Sequence, residues 1–365
     1  MANFSPLNST RRQLLKFLSL AGGSALFPSL LNACSDDPTA ISVPAMPSAL
    51  ALSDLPEATP LIAANLNPHR VVLVSTTDRA AGVRQAIDLL QPPGFSGKRV
   101  FIKPNYNTGD PAPASTDPAV LETLVQEIQA AGASQVTVGD RSGMAATRSA
   151  MQQQRVFALA SQYGFTPLVF DELGRDGWQY FSGEGNNWSR GFAIAKPVLD
   201  ADAIVNACCL KTHRYGGHFT LSLKNTIGMV AKYVPGDVHN YMGELHNSAN
   251  QRLMIAEVNR TYRPSLIVLD GVDAFVRGGP AQGEKIRAGV MLASTDRIAI
   301  DAVGIAILRM LGTTQAVSTG SIWSQAQIRR AADLGLGAVS ADAIELVTAD
   351  SASTQMADRL RPFLT

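Results

Sequence analysis

The chain has 365 residues, enough for one large or two ordinary domains with an ample core. Lysine and arginine total 31 against 30 aspartate and glutamate, a net charge of +1, so nothing suggests nucleic acid as a partner. Thirty glycines, 20 prolines and 46% hydrophobic residues are ordinary for an α/β, enzyme-like domain.

The first residues read as an address. Ser9-Thr10-Arg11-Arg12-Gln13-Leu14-Leu15-Lys16 is a paired-arginine n-region, and an apolar, Gly/Ser-containing stretch, Phe17 to Leu31, follows it. That stretch is short for a membrane span. The pattern predicts a twin-arginine signal peptide, read by the Tat export machinery that carries folded proteins. A generic secretory signal with two chance arginines is the alternative. Leu30-Leu31-Asn32-Ala33-Cys34 resembles a bacterial lipobox. Lipidation of Cys34 would make the mature chain a lipoprotein, held at the periplasmic side of the cell envelope by a membrane anchor. Cleavage after an alanine, without lipid, is the alternative there. The organisation expected is therefore a signal over residues 1–34, a flexible tether rich in Ser, Ala, Pro and Asp over 35–68, and an α/β domain over 69–365.

Beyond Pro68, strand and helix patterns alternate. Arg70–Ser75, Lys98–Lys103, Gln135–Asp140 and Pro167–Asp171 read as strands. Ala80–Leu90, the segment from Asp117 to Ala131 and the segment from Ala146 to Tyr163 read as helices between them. Gly174–Arg190 is loop-like or a β-hairpin, and Phe192–Pro197 is a short strand. Ala203–Leu210 is a buried strand that breaks into a polar loop, Lys211–His218, and resumes as a helix through Leu221, Leu223, Ile227 and Val230. Tyr233–Asn250 is too polar and too punctuated for core and is expected to cover a cleft. Gln251–Tyr262 is helical, Leu266–Asp270 and Ala288–Ser294 are strands, and Asp296 opens an apolar helix to Leu311. The alternation predicts a mainly parallel, doubly wound sheet with helices on both faces and polar insertions.

Several of these strands end in polar residues, and the carboxyl ends of parallel strands share one rim. Lys103, Lys211 and Lys224 are expected to meet there as the cationic wall of a site for a small anionic ligand. Lys224 lies in an otherwise apolar helix beside Asn225, a poor helix former, so both are expected to face a ligand. Asn105 and Asp140 join Lys103, Lys224 and Asn225 as candidate binding residues. His213, Lys211 and Asp301 are the candidate catalytic residues, His213 as acid/base. Asp301 sits inside an apolar helix, where an unpaired carboxylate is costly, so a lysine partner across the cleft is expected, with metal ligation the alternative. A metal held by His213, His218 and Asp270 is admitted by the residue types, although their spacing matches no specific motif. Vicinal Cys208 and Cys209 read as small residues of a buried strand. With Cys34 they are the only cysteines, so neither a disulfide framework nor an iron–sulfur cluster is expected.

Four separated motifs then agree. KPN at Lys103–Asn105, LKTH at Leu210–His213, LKNTIG at Leu223–Gly228 and the tail LDGV…GGPAQG…LASTDRIAIDAVG between Leu269 and Gly304 resemble the domain-of-unknown-function DUF362 family. The resemblance runs from about Arg70 to Leu311 and implies an α/β domain of undetermined chemistry. It implies that Lys103, Asn105, Lys211, His213, Lys224, Asn225, Asp296 and Asp301 are the characteristic positions. Many members carry an added ferredoxin-like cassette, whose cysteines this chain lacks. Two functional readings stand: an exported envelope enzyme acting on a small anionic substrate, metal- or redox-linked chemistry left open, or a non-catalytic lipoprotein that binds a solute or a partner.

Overall fold

The computed structural model describes residues 49–51 and 69–365. The expected signal, with Cys34, lies outside the described residues, as does most of the expected tether. Within that tether Leu50 is pinned: it donates to Tyr180 O at 3.2 Å and accepts from Ser182 N at 2.9 Å.

The strands are β1 (His69–Ser75), β2 (Arg99–Lys103), β3 (Gln135–Asp140), β4 (Thr166–Val169), β5 (Trp178–Phe181), β6 (Phe192–Ala195), β7 (Ala203–His213), β8 (His218–Thr220), β9 (Leu266–Gly278), β10 (Gly283–Ser294) and β11 (Ile344–Val347). Nine form one sheet in the order β11-β1-β10-β9-β7-β2-β3-β4, with β8 against β7. Most neighbours run parallel, as the alternation of patterns predicts. The short β8 is antiparallel to β7, and β10 is the other exception. It runs antiparallel to both β1 and β9, because β9 and β10 form one long hairpin. The hairpin turns at Gly278 (φ 85°), Gly279 (φ 63°) and Pro280, and the two positive φ values are conformations that glycine adopts freely.

Helices cover both faces, and the strand sequences require it. Successive side chains of a strand point to opposite faces. In β1, Val71 and Leu73 pack in the cluster that contains the apolar helix Arg297–Met310, whereas Val72 and Val74 pack with helices Arg79–Leu90 and Pro118–Ala130. In β7, Cys208 and Leu210 face the first cluster and Val205 and Ala207 the second. Such strands carry apolar residues on both faces along their middles because neither face meets water there. Asp296 caps the helix Arg297–Met310 through Ile298 N (2.7 Å) and Ala299 N (2.9 Å). A third, aromatic cluster holds the β5–β6 hairpin and the buried side of the 233–250 insertion.

Local boundaries differ from expectation in several places, two of them beside the cleft. β7 does not end at Leu210; it continues to His213, because Lys211 and His213 pair with Thr220 and His218 of β8. The helix expected through Val230 is a single turn, Ser222–Asn225, followed by a 3₁₀ turn, Thr226–Met229.

Candidate functional site: a cationic cleft at a switch point

From β2 the chain winds outward through β3 to β4, then returns to β7 on the other side of β2 and winds on to β9. The connections leaving β2 and β7 therefore diverge. In an open α/β sheet that divergence leaves a crevice beyond the carboxyl ends of the two strands. A cavity of about 100 Å³ lies there. Lys103, Asn105, Asp140, Lys211, His213, Lys224 and Asn225 all line it. Seven of the residues singled out from sequence are thus brought together.

Their electrostatic situations differ sharply. Lys103, fully buried, meets Asp140 Oδ1 at 2.5 Å and donates to Pro104 O at 2.6 Å. Asp140 also accepts from Tyr106 N (2.6 Å) and Arg141 N (2.7 Å). Burial is the largest influence on both partners, lowering the Lys103 amine and raising the Asp140 carboxyl. This pair ties the ends of β2 and β3 together, and its lysine is already compensated. Lys211, also fully buried, donates to Asn105 Oδ1 (2.7 Å) and to Ala114 O. No carboxylate pairs with it among the described residues. Asn105 passes the contact on to Asn225 (2.9 Å), and Asn225 to Asn206 (2.7 Å). This relay of amides ties β2 and β7 to the turn that carries Lys224.

Lys224 is only 7% exposed and has no hydrogen-bond or ion-pair partner among the described residues. Burial first, then the Arg141 and Lys211 charges, lower its amine to about 8. His213 lies beside it. A Cβ at Gly217 would stand 2.9 Å from Lys224 Cε and 3.0 Å from His213 Nδ1, so both side chains share the space over that glycine. Burial and the Lys224 charge hold His213 well below the ordinary imidazole value, so it is neutral at pH 7. His246, from the polar insertion, stacks on His213 with ring centroids 6.5 Å apart.

Several polar atoms without partners gather here too. Among the described residues, the buried side-chain atoms lacking any hydrogen-bond partner include Tyr106 Oη, Asn107 Nδ2, His213 Nδ1 and Thr220 Oγ1. All four residues line this one cavity. An unmade hydrogen bond on a buried polar group costs about 1–3 kcal/mol, so such a cluster is expensive unless a ligand completes it.

The remaining candidates lie elsewhere. Asp301 meets no lysine. It is the N-terminal anchor of the Ser222–Asn225 turn, accepting from Ser222 N (2.7 Å), Ser222 Oγ (2.6 Å) and Leu223 N (3.1 Å). Burial raises its carboxyl to about 7. Asp270 is held by Arg79 Nε at 2.7 Å and by Val272 N at 3.0 Å, off the cleft. His218, at φ 60°, turns towards Gln325 and does not line the cleft either. The grouping of His213, His218 and Asp270 therefore does not assemble. Among the described residues no set of three His, Cys, Asp or Glu side chains is placed to hold a metal. Cys208 and Cys209 are buried free thiols.

Five further cleft residues were not among the candidates read from the sequence. Tyr106 and Asn107 directly follow KPN, a position that could have flagged them. Arg141 is buried with its guanidinium on Val230 O (2.7 Å) and Ile227 O (2.8 Å), which locks the β3 end to the 3₁₀ turn. Met242 and His246 bring the insertion over the cleft, on the helix Tyr241–Asn247.

Fold and site together define an α/β protein with a cation-lined cleft at the carboxyl edge of a mainly parallel sheet. The chain matches the family described as "Domain of unknown function (DUF362)" over residues 100–306, more than half its length, and it belongs to that family. It is similar to a thylakoid-associated protein of Synechocystis sp., 27% identical over 230 residues, which are 61% of this chain and 68% of that protein. Among solved structures it is similar to the lactate racemase apoprotein of Thermoanaerobacterium thermosaccharolyticum, with a TM-score of 0.41 and 16% identity. That match covers 63% of this chain and 55% of the racemase chain.

Proposed function

We propose that this protein is an exported envelope enzyme that binds a small oxyanion in the cleft and moves a proton on it. The observation that carries the reading is the convergence of an uncompensated buried ammonium, Lys224, with four unpartnered polar atoms on one small cavity. A carboxylate or phosphate would supply the missing charge and acceptors together.

The roles follow from the surroundings. Lys211, fixed by Asn105 and Ala114 O, is a second amine behind the ligand, its own value lowered by burial. Asn105 and Asn225 hold that amine in place. Lys224, lowered to about 8, is close enough to neutrality to release and accept a proton. His213, neutral and with Nδ1 free, is the second proton carrier. The Lys103–Asp140 pair shapes the rim and does not touch the chemistry. Export and anchoring rest on Arg11-Arg12 and Cys34; the thylakoid association of the Synechocystis relative accords with a membrane address.

Calorimetry with phosphate and acetate, together with a turnover screen of small carboxylates and phosphate esters in D₂O followed by NMR, tests this. Wild type binds an oxyanion, Lys224→Ala weakens that binding by about tenfold or more, and His213→Ala keeps binding but loses deuterium incorporation. Unchanged affinity in Lys224→Ala would sink the site. A His213→Ala variant indistinguishable from wild type in every assay would leave the solute-binding lipoprotein.

A further inference from the structure

The oxyanion cleft is too small for much beyond the charged group itself. A second and larger cavity, about 540 Å³, adjoins it. Gly143 and Met144 line both, so one loop after β3 is the wall between them. The floor of the second cavity is aromatic. Phe170 and Trp178 meet edge to face there, with centroids 6.4 Å apart. Met144 and Tyr233 also line it, and they are two of the few large apolar side chains left about half exposed on this protein.

Trp178 adds a polar signal. Its indole Nε1 is buried and has no hydrogen-bond partner among the described residues. A buried indole N–H usually finds an acceptor, so its lack of one marks a site that a ligand completes. Exposed aromatic and thioether groups at the wall of a cavity with an aromatic floor suit a flat, weakly polar ring. A branched aliphatic tail would forgo both the edge-to-face contacts and the N–H.

Resting on the oxyanion reading of the first cleft, we propose that the second cavity is the subsite for the rest of the same ligand. The ligand class is a planar ring that carries one anionic group. The anion lies against Lys224 and Lys211, and the ring lies over Phe170 and Trp178 between Met144 and Tyr233. The Gly143-Met144 strip marks where ring and anion join.

Calorimetric titration of the full chain compares phenyl phosphate with inorganic phosphate, and benzoate with acetate. In at least one pair the ring should tighten binding about tenfold, the scale of one well-packed aromatic contact. Tyr233→Ser, an exposed position outside the oxyanion cleft, should erase most of that gain and leave the affinity of the ringless anion unchanged. Trp178→Phe keeps a ring on the floor and should lower the gain for ligands with an acceptor on the ring, such as 4-nitrobenzoate, more than for benzoate. Ringless anions that bind and depend on Lys224, with no gain from a ring in either pair, overturn the subsite while the oxyanion site stands. A gain that survives Tyr233→Ser undiminished overturns it as well. If none of the four probes binds, the oxyanion reading fails and the subsite with it.

Discussion

Lys224 sets the pH response of the cleft. Its amine is lowered to about 8, and a bound anion favours the protonated form and raises it. Anion affinity is therefore constant below about 8 and falls above it, by up to about tenfold per pH unit. Titrating acetate, which stays fully ionised throughout, at successive pH values between 6.5 and 9.5 checks the sign. An affinity that rises through this window would mean that Lys224 is not the anion's partner. Asp140 makes a contrasting prediction. Asp140→Asn would leave the Lys103 ammonium buried without its charge partner, and breaking a buried pair from one side costs about 3–5 kcal/mol. Urea unfolding should show that loss. Gly217→Ala should barely change stability, since its neighbours are the tip of a flexible lysine and an imidazole edge, but it should displace both proton carriers and depress turnover.

At the level of elements, the turn Ser222–Asn225 depends on Asp301. One helical turn cannot stabilise itself, since nucleation is costly and its first N–H groups have no internal acceptors. The Asp301 carboxylate supplies those acceptors from the helix Arg297–Met310. Because burial raises Asp301 from 3.8 to about 7, the protein binds a proton there that the unfolded chain releases. The stability associated with that proton is full below about 4 and is lost as pH rises to about 7, roughly 1.4 kcal/mol per unit. Asp301→Asn cannot titrate, so its deficit relative to wild type should be largest near pH 4.5 and shrink towards neutrality. Urea midpoints at several pH values measure this, and a deficit that grows with pH would refute the assignment.

That turn also marks where sequence reading stops. Apolar runs flanked by turn residues made the strands legible, and polar residues at their ends made Lys103, Asp140 and Lys211 legible as one rim. Asp301 was legible only as a buried carboxylate in need of partners. Periodicity carries no sign that its partners are backbone N–H groups 79 residues away in a broken helix rather than a lysine. Asp270 failed for the same reason, its partner Arg79 lying 191 residues distant. β10 runs against the prevailing direction because β9 and β10 extend past their apolar segments into a polar hairpin, where pattern fades but pairing persists. The polar insertion could be assigned to the cleft by its composition, but not which of its side chains, Met242 and His246, would reach in.

For the whole molecule, the address and the chemistry make one joint claim. The cleft is built from β2, β3, β7, the 222–229 turns and the 233–250 insertion, all of which must be folded before any ligand can be held. Among the described residues no helix is long and apolar enough to cross a membrane. Cys34 is the proposed anchor, and a single acyl chain holds a protein only marginally, whereas the multiply acylated cysteine of a lipoprotein holds it stably. Mass spectrometry of the N-terminal peptide from an envelope fraction should find residues 1–33 absent and Cys34 bearing lipid. Cys34→Ala should move the folded protein into the soluble periplasmic fraction with its oxyanion affinity unchanged. Arg11→Lys combined with Arg12→Lys should retain it in the cytoplasm, again with affinity unchanged, because the cleft does not use the signal. Export that survives the double lysine variant would point to a general secretory signal, and an unmodified Cys34 at a membrane would leave the anchor to another part of the chain.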